Sequence, residues 1–229
     1  MALPIFPAHR FNPATVQADI VAQVISGGQA LSGDEEVIQT DGGGRWQIAY
    51  TDIDLDDRAM RRFWNQWTSF IAGGAEVFLV PLLSLEDAPR PFGGEGLLDP
   101  SDIADDGSAF PESVAFASPY IVARVAADAA LRATTLQIEV TQGARIVGGE
   151  TFSVGERAYR IERVLSSAGD TATCRIKPPL RASVAVDNLV NFDWPVVRCR
   201  GVVGQDLGAD VLNGQFATVA ISFVEDFSE

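Results

Sequence analysis

The residues able to do chemistry are few in this chain, and their spacing is wrong for most of it. The only histidine, His9, lies among Pro4, Pro7 and Pro13, and no GxSxG run occurs. A serine or cysteine nucleophile needs a base held beside it, which one histidine in a proline-flanked arm does not supply. Cys174 and Cys199 stand in neither a CxxC nor a Cys/His spacing, so zinc and redox chemistry lack their usual ligands. Both read as small core residues that remain thiols. Acidic side chains are abundant, and a glycosidase-like carboxylate pair is defined by separation in space, which spacing along the chain leaves open. Asp102, Asp105, Asp106 and Gly107 approximate a calcium loop. An EF-hand needs an oxygen ligand at its third position and a glutamate at its twelfth, where this chain has Ala104 and Ser113. Gly93-Gly94-Glu95-Gly96 has neither a preceding strand nor GxGxxG spacing, and no GxxxxGK[ST] run is present. No catalytic, cofactor-binding or metal-ligating residue is therefore assigned, no cofactor is expected, and the chain does not read as an enzyme.

The elements that would have positioned such groups are mostly strands. Residues 45–51 alternate, with Trp46, Ile48 and Tyr50 on one face and Gln47, Ala49 and Thr51 on the other, as in a half-buried strand. Residues 16–25 fit both helical and alternating spacing, and the Gly27-Gly28 turn signal after them favours a strand. A polar hairpin is expected around 32–36, followed by a strand at 37–40 that runs into Gly42-Gly43-Gly44. One helix is predicted at 55–72. Asp52, Asp54, Asp56 and Asp57 open it, and Met60, Phe63, Trp64, Trp67, Phe70 and Ile71 form an apolar stripe to be buried on a sheet. Gly73 and Gly74 are expected to end it, and 76–83 is a strand that Pro81 places near an edge.

Residues 84–118 are rich in Gly, Pro and acids and read as a surface loop. Short strand-like runs then recur at 120–125, 135–140, 151–154, 158–164, 171–176 and 189–192, the rhythm of a small barrel or sandwich. Two longer strands, 196–203 and 216–227, flank a polar turn region around 208–214 and are placed to return to the first sheet. The fold class is thus mainly β: a belt-type β-sandwich with one helix, built from 1–83 together with 196–229, the acidic loop 84–118, and an inserted barrel-like module at 119–195.

Composition narrows the partners. With 47% hydrophobic residues the chain can build one or two ordinary cores. A formal net charge of -14 repels phosphate backbones and anionic headgroups, so neither direct nucleic-acid binding nor membrane binding is expected. The N-terminal prolines interrupt any signal-peptide core, and no run approaches the roughly 18 apolar residues of a transmembrane helix.

Two passages carry a resemblance. One runs from Ile25-Ser26-Gly27-Gly28 through Gly43-Gly44-Arg45-Trp46 and Phe63-Trp64-Asn65-Gln66-Trp67 to Phe78-Leu79-Val80-Pro81. The other joins Gly149-Glu150-Thr151-Phe152-Ser153-Val154-Gly155, Tyr159-Arg160-Ile161 and Ile176-Lys177-Pro178-Pro179-Leu180-Arg181. Together they resemble the belt and small β module of siphophage distal tail proteins and related tail-tip ring proteins. The resemblance implies a bacteriophage structural protein in the virion tail tip, assembled in the host cytoplasm. It implies a homo-oligomeric ring of about six copies that joins the tail tube protein to the hub and baseplate. It further implies that the segment around 29–39 is an inter-subunit hairpin and that neighbouring copies cover unpaired strand edges. The chain departs from the usual plan, because its module is nested inside the belt instead of trailing it. Alternatives are a host-surface module that binds glycan or protein, another tail-tube or completion protein, and, against the absent motifs, an enzyme.

Overall fold

Arg45–Asp54, the most regular strand of the sequence, is the centre of the architecture that the other elements are built around. The computed structural model describes residues 3–22, 24–29, 31–39, 43–90, 121–209 and 217–228. The Asp102 to Gly107 run, the Gly93 to Gly96 run, most of the acidic loop and much of the turn region around 208–214 lie outside these residues.

In chain order the first elements are a short helix α1 (Ala8–Phe11), β1 (Thr15–Val21), β2 (Val24–Gln29), β3 (Glu35–Gln39) and β4 (Arg45–Asp54). They are followed by the long helix α2 (Arg58–Ile71) and β5 (Val77–Pro81). Next come β6 (Val122–Val125), β7 (Thr135–Gln142), β8 (Thr151–Val154), β9 (Arg157–Ala168), β10 (Thr171–Lys177) and β11 (Leu189–Asn191). The chain ends with β12 (Val196–Gly201) and β13 (Thr218–Glu225). The fold is mainly β: a five-stranded antiparallel sheet in the order β1-β4-β13-β12-β5, a closed six-stranded barrel in the order β10-β7-β6-β11-β8-β9, and a separate two-stranded hairpin, β2-β3. Among the described residues no helix is long and apolar enough to cross a membrane.

The stretch 16–25, expected as one strand, divides. β1 pairs with β4 from Thr15↔Thr51 to Val21↔Arg45, and there its partner runs out. Gly44, with φ 94°, passes so close to β1 that a Cβ would lie 2.6 Å from the Val21 carbonyl oxygen. With no ladder left in the sheet, the following residues pair with β3 instead, as Ile25↔Ile38 and Ser26↔Val37.

Helix α2 is shorter than expected at its N-terminus, because Asp52 and Asp54 belong to β4 and Asp57 alone is the cap. Its carboxylate accepts the Met60 N–H at 2.6 Å. The helix ends one residue before the glycines: Ala72 already has φ 47°, and Gly73 continues left-handed at φ 66°. Gly74 serves close approach, since a Cβ there would come within 2.5 Å of the Gly201 carbonyl on β12. Trp64 and Ile71 are buried, Met60, Phe63 and Trp67 are half-buried, and Phe70 is exposed. The Trp64 indole N–H is satisfied by the Leu207 carbonyl at 3.1 Å.

The layer facing the five-stranded sheet is completed by the N-terminal arm, to which the sequence reading assigned no element. Phe6 packs on Phe11, Tyr50, Trp67, Phe78 and Phe223, with centroid distances of 5.0 to 6.4 Å. The barrel has its own core, including Ile138, Phe152, Tyr159, Ile161 and Phe192. Its strands match the expected runs closely except β9, which extends to Ala168. There the hairpin into β10 prolongs the ladder beyond the apolar part of the barrel, through exposed Ser166 and half-buried Ser167.

Candidate assembly interface

What this chain can do to a neighbour depends on which of its edges and faces are already used. β5 is one edge of the large sheet, and the arm closes it: Phe6 N–H donates to the Leu79 carbonyl at 2.7 Å and Leu79 N–H to the Pro4 carbonyl at 2.9 Å. β1 is the other edge. Trp46 gives its backbone N–H to Glu225 on the β13 side, so the pair Ile20↔Trp46 exchanges no backbone bonds. Ile20 and, two residues earlier, Ala18 therefore turn their backbone groups outward. Arg160 reaches from the barrel to cap this edge, donating to the Ala18 carbonyl at 3.1 Å and to the Asp19 carboxylate at 2.8 Å. The Arg160 hydrogen bond, helped by the Ile20 N–H, holds the Asp19 carboxyl below the usual aspartate range. An ion pair laid across an exposed edge denies it to another strand.

The seam between barrel and sheet is fixed by arginines. Arg181 follows Pro178 and Pro179, and its Nε donates to Glu225 Oε1 at 3.1 Å, with Glu225 fully enclosed. The same guanidinium donates to the Gly44 carbonyl, and the Arg181 backbone N–H donates to the Tyr159 hydroxyl at 3.0 Å. Pro179 sits against Gly43, where a Cβ would lie 2.3 Å from the ring. The Trp46 indole donates to the Ala158 carbonyl at 2.9 Å, with the Arg160 guanidinium over its ring. Arg157 binds the carbonyls of Asp226 and Ser228, and Arg198 N–H donates to the Glu156 carbonyl at 2.8 Å. Burial pushes the Asp226 carboxyl upward, but its bonds to Ser228 and the nearby Arg200 and Arg198 outweigh this and leave it below the usual range.

The hairpin β2-β3 is the unsatisfied surface. Residues directly opposite share a face, so Ile25, Ile38 and Glu36 lie on one side, and Val24, Ser26, Val37 and Glu35 on the other. Ser26 Oγ donating to Glu35 at 2.6 Å agrees with that assignment. Val24, Ile25, Val37 and Ile38 are each more than half exposed. A lone two-stranded hairpin is marginally stable in water, and the described side chains of this one are exposed on both faces.

Of the residues weighed for chemistry, His9 is exposed on α1, and the two cysteines are buried thiols in separate cores, Cys174 in the barrel and Cys199 in the sheet. Burial pushes the Cys174 thiol up to about 12 and the Cys199 thiol well above its ordinary value. Among the described residues no group of three or more His, Cys, Asp and Glu side chains could hold a metal. Sequence reasoning missed the arm and the arginine seam. The phenylalanines at 6 and 11 between prolines were the signal for the arm, and Arg181 closing the Pro-Pro-Leu-Arg corner was the signal for the seam. No protein-family model matches this chain, and no curated protein matches it.

Proposed function

We propose that the chain is a structural subunit of a siphophage tail tip, a distal tail protein that closes with further copies into a ring between the tail tube and the hub. The observation that carries this reading is the contrast between covered edges and an uncovered hairpin. Both edges of the large sheet are blunted within the chain, while β2-β3 stands apart from that sheet with exposed apolar residues on both faces. A surface of this kind is retained where a neighbour covers it. A head-to-tail contact of this type closes into a ring when its rotation divides the circle. The arginine seam favours the same reading, because it holds the barrel at a fixed place on the ring subunit, as a projection that a neighbouring tail-tip protein can grip. With Arg160 on one edge and the arm on the other, the contact between copies in this proposal is made by the hairpin, the inter-subunit element that the resemblance implies.

Native mass spectrometry and negative-stain imaging of the purified full chain test the proposal. Closed rings of about six copies are expected, together with presence of the chain in purified virions. A chain that stays monomeric at high concentration and is absent from virions overturns it.

A further inference from the structure

The outer face of the large sheet, turned away from α2, carries a groove of about 500 Å³. Its walls include Arg45 on β4, Arg200 on β12, and Val21, Val202 and Val203. The three valines are exposed. In a chain of net charge -14 this face is locally basic: Arg45 makes no ion pair among the described residues, Arg200 reaches Asp226 only at 3.8 Å, and the one carboxylate in the groove, Asp19, is held by Arg160. The hairpin has the complementary pattern. Asp34, Glu35 and Glu36 make no ion pair among the described residues, and Glu36 shares a face with Ile25 and Ile38. Gly27 keeps that face flat beside Glu36.

Resting on the ring reading above, we propose that the receptor for the hairpin is this groove on a second copy of the chain. Ile25 and Ile38 of one copy lie over Val202 and Val203 of the next, with Glu36 set toward Arg45 and Arg200. The contact joins two different surfaces, so each copy offers one hairpin and one groove and the chain of contacts can close. Apolar cover supplies the attraction, and the charge pairing sets the register and rejects wrong partners.

The test uses three variants of the full chain, Glu36→Arg, Arg45→Glu and the combination, assayed by native mass spectrometry with wild type as reference. Each single variant is expected to assemble at least about tenfold more weakly, since it sets like charges together. The combination is expected to recover assembly, because every interface regains an opposite pair. Mixed with isotope-labelled wild type, the combined variant is expected to sort into rings of its own kind, since both mixed contacts are repulsive. Thermal melting of the monomer controls for folding. Single variants that assemble like wild type, a combined variant that stays apart, or free mixing with wild type would each overturn the groove assignment while leaving the ring in place. A wild-type chain that forms no oligomer would instead overturn the ring itself.

Discussion

Arg181 and Glu225, 44 residues apart in the chain, meet at 3.1 Å in the seam where the barrel joins the large sheet. The carboxylate also accepts the Trp46 backbone N–H at 3.0 Å, so one buried charge ties together the Pro-Pro-Leu-Arg corner, the start of β4 and the end of β13. Removing one partner strands the other, which is costlier than never having built the pair. Arg181→Met is expected to lower the unfolding free energy by about 3–5 kcal/mol, and Arg181→Met/Glu225→Met to recover part of that loss. Urea unfolding of the three proteins checks it. A single variant within about 1 kcal/mol of wild type would show that the seam contributes little.

The stripe on α2 makes a second prediction. Trp64 is fully buried and its indole N–H is bonded to Leu207. Trp64→Asp leaves an unpaired charge and a cavity, and is expected to cost several kcal/mol, a large part of an ordinary domain's roughly 5–15 kcal/mol. Wild-type thermal stability in that variant would contradict the placement of the helix.

The arm supplies a third. Phe6 is fully buried among five other rings. Phe6→Ala is expected to destabilise the fold by about 3–5 kcal/mol, read as a lower urea midpoint. An unchanged midpoint would mean that the arm is not part of the core.

The lock on the β1 edge gives a pH prediction. Asp19 is held below its ordinary value of 3.8 by Arg160, so the unfolded chain binds this proton more readily than the folded one. Its stabilisation is present above that ordinary value and disappears as pH falls through the lower folded value. Asp19→Asn should therefore lose less stability than wild type on acidification below about pH 4. Parallel acid-unfolding curves of the two proteins would contradict the lock.

How much of this was legible in the sequence depended on how local the cause was. The alternation of Trp46, Ile48 and Tyr50 and the spacing of Phe63, Trp64 and Trp67 sit within a few residues of each other, and the strand and helix formed where they pointed. The barrel strands were visible for the same reason. The break after Val21 was not, because it arises where β4 runs out on the partner side, at Arg45. Arg160 and Asp19 lie 141 residues apart, and Trp46 and Glu225 lie 179 apart, so no periodicity could announce either contact. The segment 29–39 was read as a polar hairpin. The exposed Ile25 of β2 and the exposed Val37 and Ile38 of β3 became meaningful only once the register showed apolar residues on both faces. Nothing in residue types alone separated a hairpin awaiting a neighbour from one packed on its own chain.

The most direct measurement is the native mass of the purified chain beside that of Ile25→Ser/Ile38→Ser, which removes the apolar side chains from the face of the hairpin that carries Glu36 without touching either core. A closed ring is expected for the first and monomers of unchanged melting temperature for the second. Rings that persist in the doubly substituted chain, or monomers throughout, would contradict assembly through the hairpin.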